Sequence, residues 1–380
     1  MKLEQFNSGK YEKQQKAYSS FSPAFIHHSW TWEDSELNML LEKANQSLGG
    51  LESFSKLIPN IDIYIRLHLK TEAHKSNKIE GTKTTIEEDM MNIEDVAPEK
   101  RDDRVEVENY INAINAGVDI ITKGELPLCA RLIKKLHSIL LQGVRGNHKT
   151  PGEFRKSQNW IGGSTPSNAI FVPPHHLEIP DLISDLEFFL ADEDILIPNL
   201  IKIAIAHYQF ETIHPFLDGN GRLGRLIIPL FLLDKKVLSK PCFYISDFFE
   251  KNKTDYYDHL TRVRTNNDML AWLKFFLTAV IETSEKAKTK FKKVVDLVSS
   301  YRELEYELPG KNENIAKILN CFYDDPILSI NEIQEQTKLG RSTIERIIRA
   351  LQQKKYVSEI TNFQRNKLFL LDEYFNIFIM

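Results

Sequence analysis

Residues 201–233 are the stretch that most limits what this chain can become. IKIAIAHYQFETI and RLGRLIIPLFLL carry apolar residues three and four apart, the spacing of a buried helix face. Between them stands HPFLDGNGRLGR, residues 214–225, with one His, one Asp, one Asn, two Arg and three Gly in twelve positions. The first helix should end at His214, because Pro215 disfavours helical geometry at the residue before it. In FLDGNG, Gly219 and Gly221 allow backbone N–H groups to turn inward just where the second helix begins. Unpaired N–H groups and the positive end of a helix dipole together favour phosphate. Arg222 and Arg225, three apart, share a face from which both can fork onto phosphate oxygens. Asp218 offers a hard carboxylate oxygen of the kind Mg²⁺ takes when substrate phosphates also hold it. His214 can accept a proton from an attacking hydroxyl, since imidazole titrates near neutrality. Each residue alone has a plainer reading, as a turn or a structural histidine, and no Walker GxxxxGK is present; the crowding carries the inference.

The rest of the chain is read around that centre. A length of 380 residues predicts two or three units of roughly 100–200 residues each. A net charge of −4 argues against wholesale binding to nucleic acid or a membrane surface, so any basic patch must be local. Cys129, Cys242 and Cys321 lie far apart without a CxxC pair, which argues against a disulfide framework or a cysteine zinc site and suits a reducing cytoplasm. MKLEQFNSGKYEKQQK lacks an apolar signal core, and no apolar run approaches the roughly 20 residues that cross a bilayer. The expectation is a cytoplasmic protein without membrane contact. His68, His74, His148, His175, His176 and His207 show no transition-metal ligand spacing.

Helical periodicity dominates, as in LNMLLEKANQSLGGLESF and RLIKKLHSILLQGV, so the fold class is mainly α. PLCARL is expected to open a helix at Pro127. In residues 155–176, NWI and AIFV flank GGSTPSN, which predicts a β-hairpin flap in a helical domain. Behind Tyr301, RELEYELPGKNEN with Pro309 and Gly310 reads as a domain boundary. Then come a helix (NIAKILNCFY), a short helix capped by Ser329, a turn at LGRS, a helix capped by Ser342, and the extended pieces SEIT and KLFLLD. That is the order of a winged helix, and the expected division is 1–99, 100–300 and 311–380.

HPFLDGNGRLGR resembles the signature of the Fic domain family, HxFx(D/E)GNGRxxR, at every fixed position from His214 to Arg225. GEFR at 152–155, the flap, VPPHH and HYQFETI are similar to the family's core over roughly residues 100–280. The resemblance implies transfer of AMP from ATP to a Tyr, Thr or Ser hydroxyl of a target protein, this chain itself included, with release of pyrophosphate. His214 would be the base and Asp218 the Mg²⁺ ligand. Gly219, Asn220 and Gly221, continuing into Leu223 and Gly224, would line the nucleotide site, with Arg222 and Arg225 on the β- and γ-phosphates. Asn159, Trp160 and Ile161 of the flap would align the target by strand pairing. KNKTDYYDHL is similar to the segment that contacts the nucleoside, which nominates Tyr256 and Tyr257, although an aromatic pair on a helix is as readily core packing.

Upstream, IDIYIRLHLKTEAHKS reads as an amphipathic helix that Gly81 would end. Composition there gives no reason to prefer Glu80 over Glu72 or Glu87. The resemblance does: Ser76 to Gly81 fits the family's inhibitory motif (S/T)xxxE(G/N), which implies that Glu80 pairs with Arg225 and keeps ATP unproductive. Removal of AMP by a water poised at Glu80, or transfer of another group, remains open. Residues 338–367 hold eight basic side chains against Glu345 and Glu359, a local net charge of +6. Arg341, Ser342, Thr343 and Arg346 are available to a DNA major groove, which admits a DNA-binding regulator that uses the core as a nucleotide sensor. Protein contact or homodimerisation through this domain stands beside DNA.

Overall fold

The computed structural model describes residues 1–14, 18–58, 61–143, 149–361 and 367–379. His148 and Arg365 lie outside them. An antiparallel pair, β1 (Gly9–Lys13) and β2 (Ser19–Pro23), precedes α1 (Ser35–Leu57) and α2 (Ile61–Glu80). α1 starts where the Asp34 carboxylate accepts the Leu37 N–H at 2.7 Å, one of the donors a first turn leaves unpaired. α2 stops at Glu80 because Gly81 takes φ +101°, which residues with a Cβ avoid.

α3 (Ile86–Met90) is capped reciprocally by Thr85 and Glu88. α4 (Arg101–Thr122) and α5 (Ala130–Leu140) follow. α5 begins three residues later than expected: Leu128 and Cys129 separate Pro127 from the first helical residue. Then come α6 (Ile179–Ala191), α7 (Asn199–Ile213) and α8 (Asn220–Asp234). α7 is buried on every face from Leu200 to Ile213, and it packs against α6, α8 and later the long helix α11. α9 (Ser246–Lys251) and α10 (Lys253–Asn266) lead into α11 (Met269–Glu307), which lies along α1 and runs on through Tyr301. The helical break falls at Leu308, ahead of Pro309 and Gly310. Among the described residues no helix is long and apolar enough to cross a membrane.

The expected flap hairpin is reduced to a single antiparallel bridge, Ile161 with Phe171, through N–H···O bonds of 2.8 and 3.1 Å. Gly162 and Gly163 both take φ +69°, and the Asn168 side chain accepts the Ser164 and Thr165 N–H groups. The tip is therefore wound into a turn, and no ladder extends beyond the bridge. β2 borders the flap, the Phe21 N–H donating to the Val172 carbonyl at 2.9 Å.

The C-terminal part comprises α12 (Asn312–Asp324), β3 (Ile327–Ser329), α13 (Ile330–Thr337), α14 (Arg341–Gln353), β4 (Val357–Glu359), β5 (Leu368–Leu371) and α15 (Asp372–Ile379). The strands form an antiparallel sheet in the order β3-β5-β4. Ser329 caps α13 reciprocally with Glu332, whereas α14 begins at Arg341 behind Gly340, so Ser342 lies in its first turn and is not the cap. The domain rests on α2, where Arg66 pairs with Asp324, and Lys70 with Asp325 at 2.8 Å.

Trp272 of α11 ties the layers together, fully buried with its indole N–H on the Ala204 carbonyl of α7 at 2.9 Å. Trp272→Ala is expected to cost about 3–5 kcal/mol in chemical denaturation, by cavity formation plus an unpaired carbonyl; a loss below about 1 kcal/mol would contradict this packing.

Candidate functional site

His214 ends α7 in the left-handed region, φ 48° and ψ 59°, a costly conformation for a residue with a Cβ. Arg155 holds it there. Its guanidinium donates to the carbonyls of His214 (3.0 Å), Pro174 (2.6 Å) and Ile213 (3.4 Å), while its own N–H donates to Pro215 (2.9 Å). These bonds satisfy carbonyls that a helix end leaves over. Burial pulls the Arg155 pKa down to about 10, so the cation persists at neutral pH.

The loop after His214 is closed by Asn220, whose side chain accepts the Phe216 N–H and donates to the Phe216 carbonyl, both at 2.9 Å. Asn159 of the flap donates to that same carbonyl at 2.9 Å. His137 stacks on the Phe216 ring at 3.7 Å between centroids. Its Nδ1 accepts the Gly152 N–H at 2.8 Å, so the proton sits on Nε2 and is donated to the Asp218 carbonyl at 3.0 Å. Burial holds this imidazole neutral, its pKa lowered to about 4.

Gly219, at φ +74°, is the N-cap of α8 and supplies no side-chain acceptor. The first N–H to find a helix partner is that of Leu223, on the Gly219 carbonyl at 3.0 Å. The N–H groups of the preceding first-turn residues have no intrahelical partner, which leaves a donor-lined N-terminus for an anion. Asp218 stands at the lip, its side chain 46% exposed and its Oδ1 taking the Gly219 N–H at 2.6 Å. Among the described residues no three His, Cys, Asp or Glu side chains are placed to hold a metal alone. One exposed carboxylate fits an Mg²⁺ that substrate phosphates also ligate.

His214 Nδ1 faces the Glu211 carbonyl at 3.4 Å. Burial, reinforced by the Arg155 charge, lowers its pKa to about 4. A neutral ring with its proton on Nδ1 leaves the Nε2 lone pair to accept another.

Both arginines of α8 are engaged. Arg225, 1% exposed, donates through Nη2 to Glu80 Oε1 at 2.7 Å and the Ser76 carbonyl at 2.8 Å, and through Nε to Ser76 Oγ at 2.9 Å. Arg222 donates to Glu106 Oε2 of α4 at 2.9 Å and Asn77 Oδ1 at 3.3 Å, with Asp218 at 3.6 Å. The Glu80 carboxylate lies over the first turn of α8, where a Cβ on Gly221 would stand 2.3 Å from its Oε1. Burial pushes its pKa up, but Arg225 outweighs burial and holds the carboxyl below its usual range. Glu211 is buried beside them: desolvation raises its pKa to about 7, and its Oε1 has no hydrogen-bond partner among the described residues. A Cβ on Gly224 would meet that oxygen at 2.1 Å.

Three of the expected nucleotide-site residues lie in the core. Leu223 is fully buried, and the Gly224 carbonyl accepts from His207 at 3.1 Å within the core. Tyr256 is 1% exposed, stacked on Phe249 with its hydroxyl 2.9 Å from His207, and presents no face to a ligand. Tyr257 is the member of the pair that stays reachable, 42% exposed. Trp160 and Ile161 are similarly open, and Gly81 ends α2 at positive φ. Sequence reasoning missed Arg155, His137, Glu106 and Glu211. GEFR and HYQFETI flagged the segments of two of these but assigned no role to the side chains.

Residues 127–232 match the Fic/DOC family, residues 38–119 the Fic/DOC family N-terminal region, and residues 311–358 a winged helix-turn-helix DNA-binding domain. The protein adenylyltransferase Fic of Aedes aegypti is 32% identical over 125 residues, 33% of this chain and 22% of that relative. The protein adenylyltransferase Fic of Drosophila grimshawi is 28% identical over 178 residues, 46% of this chain and 32% of that relative. The chain thus matches a third or less of the length of these curated relatives. In fold it is similar to a Fic family protein from Desulfovibrio desulfuricans, with TM-score 0.54 and 19% identity over 89% of this chain and 96% of that one. It is also similar in fold to Fic-1 from C. elegans, with TM-score 0.52 and 19% identity over 69% of this chain and 74% of that one. The chain belongs to the Fic/DOC family and carries a winged helix-turn-helix domain at its C-terminal end.

Proposed function

We propose that this chain is a protein adenylyltransferase that holds its own nucleotide site shut through Glu80. The observation that carries the reading is the seat of the Glu80 carboxylate, on Arg225 and over the first turn of α8, beside a neutral His214. With ATP in that seat, the N–H groups at the start of α8 receive phosphate oxygens, and Arg222 and Arg225 neutralise the β- and γ-phosphates. Asp218 is the residue that would hold Mg²⁺, which supplies further charge neutralisation on the phosphates. The target hydroxyl gives its proton to His214 Nε2, its oxygen bonds the α-phosphorus, and the bond from that phosphorus to the bridging oxygen breaks to release pyrophosphate. The nucleoside end falls to Tyr257. The target segment pairs with the flap at Asn159–Ile161, where Trp160 and Ile161 are exposed.

A γ-phosphate and the Glu80 carboxylate compete for the same guanidinium, so the inhibited state is a charge competition. Glu80→Gly is expected to raise AMP transfer at least about tenfold, equivalent to roughly 1.4 kcal/mol of barrier, seen as AMP adducts by intact mass after incubation with ATP and Mg²⁺. Glu80→Gly/His214→Ala should show none. Equal rates for parent and Glu80→Gly would reject the inhibitory role.

His214 should titrate by NMR with a midpoint of about 4. Its folded pKa lies below its unfolded value, so the unfolded chain binds the extra proton and stability falls as pH drops from about 6.5 toward 4. A midpoint near 6.5 would remove the argument for a neutral, desolvated base.

A second reading concerns DNA and is favoured by the exposed face of α14, which presents Arg341, Ser342, Arg346 and Arg349. In electrophoretic shifts across a salt series, Arg346→Ala is expected to weaken DNA binding and to reduce the salt slope by about 1. An unchanged slope would direct the domain to a protein partner.

A further inference from the structure

A cavity of about 360 Å³ lies between α2, α9 and α11, lined on α2 by His68, Thr71, Glu72 and Lys75. Lys75, Lys251, Lys286 and Lys290 line it with Glu72, Asp247, Glu282 and Glu285, and the pairing among them is uneven. Asp247 is shared by three lysines, with Lys286 at 2.7 Å, Lys251 at 3.0 Å and Lys75 at 3.5 Å. Glu250 pairs with Lys75 at 3.2 Å and with Lys78 at 3.1 Å, and its charge also favours the Lys251 cation. Lys290 on the same wall is 8% exposed, donates to the Phe378 carbonyl, and makes no ion pair among the described residues. Burial and the neighbouring Lys286 charge push its pKa down to about 8. Glu72 also lines the cavity, but its oxygens already accept from Ser246 and Tyr110. At the rim Glu285 is paired with Lys288, and Glu282 is exposed.

Two buried polar side chains on the cavity wall lack partners. His68, 9% exposed, makes no hydrogen bond of good geometry through either ring nitrogen, although the Cys242 backbone lies beside it. The Tyr244 hydroxyl, on a residue 3% exposed, is also unpaired. Buried polar groups are ordinarily satisfied, and an unsatisfied pair on one cavity wall is what a missing ligand leaves behind. Phe248 and Ala287 supply apolar wall between these groups and the lysines. A dianionic head with three acceptor oxygens matches converging ammonium groups, and the volume admits a small body beside it.

We propose that this cavity is a second ligand site, for a compact phosphate monoester with an aromatic or heterocyclic body. Its phosphate sits among Lys251, Lys286 and Lys290, and its body reaches the His68 and Tyr244 polar atoms. The proposal does not depend on the adenylyltransferase reading, because none of these side chains touches the α8 arginines or His214.

The test is calorimetric titration of phenyl phosphate into the full chain, the Lys286→Glu and Lys251→Glu variants, and Arg222→Ala as a control for binding at the nucleotide site. One molecule per chain is expected, with affinity falling at least about tenfold in both lysine variants and holding within about twofold in Arg222→Ala. If Lys286→Glu melts early, Lys251→Glu, altered at a half-exposed side chain, decides. No binding to the parent chain, binding indifferent to both lysine changes, or binding lost only in Arg222→Ala would each overturn the proposal.

Discussion

The burial of the Arg225 guanidinium is the constraint on which the rest of the site depends. A fixed cation at 1% exposure must be met by an anion or by well-aimed dipoles, because removing it from water unpaired costs several kcal/mol. The Ser76 carbonyl and hydroxyl take two of its five N–H groups, and the others are left to whichever anion can reach them. Glu80 reaches one of them now. A polyphosphate brings more charge, yet it must displace a carboxylate already on the helix that ends at Gly81. Arg222 is partnered differently, by Glu106 of α4 as well as by Asn77 of α2. In the proposed mechanism Arg225 is the switch contact, while Arg222, three residues earlier, has a partner outside α2 as well.

The proposed switch requires that His214 and the donor-lined helix end stay fixed while Glu80 moves. They are fixed from beneath. Arg155 spans the carbonyls at the end of α7, Asn220 pinches the loop at Phe216, and His137 pins the Asp218 carbonyl. None of these side chains reaches α2, so displacement of Glu80 leaves the loop intact. α2 is itself loaded from outside, by the C-terminal domain through Arg66 and Lys70 and by the lysine cavity through Lys75.

The parts legible in the sequence are those that local chemistry dictates. Pro215 ends α7, Gly219 turns the chain into α8, Gly81 stops α2, and Ser329 caps α13, each through the backbone freedom or acceptor of one residue. The order α12, α13, α14, β4 and β5 after Pro309 follows from the same signals, whereas β3 and α15 were not among the expected elements. What stayed hidden depends on partners far away in the chain. Arg155 and His137 look like ordinary polar residues until the carbonyls they serve are brought beside them, 59 and 81 residues on. Tyr256 cannot be told from Tyr257 by periodicity alone; burial against Phe249 and His207 separates them. Spacing could not choose Glu80 over Glu72 either. Only family resemblance did, and in the structure Glu72 goes to Tyr110 and Ser246.

The central claim is that one guanidinium is contested by two anions, and a crystal structure of the ATP·Mg²⁺ complex tests it most directly. In the parent chain Arg225 should remain on Glu80 with the γ-phosphate displaced from it. In Glu80→Gly the γ-phosphate should occupy the vacated position on Arg225, with the α-phosphate brought within reach of His214. A parent complex in which Arg225 binds the γ-phosphate while Glu80 keeps its place would contradict the account.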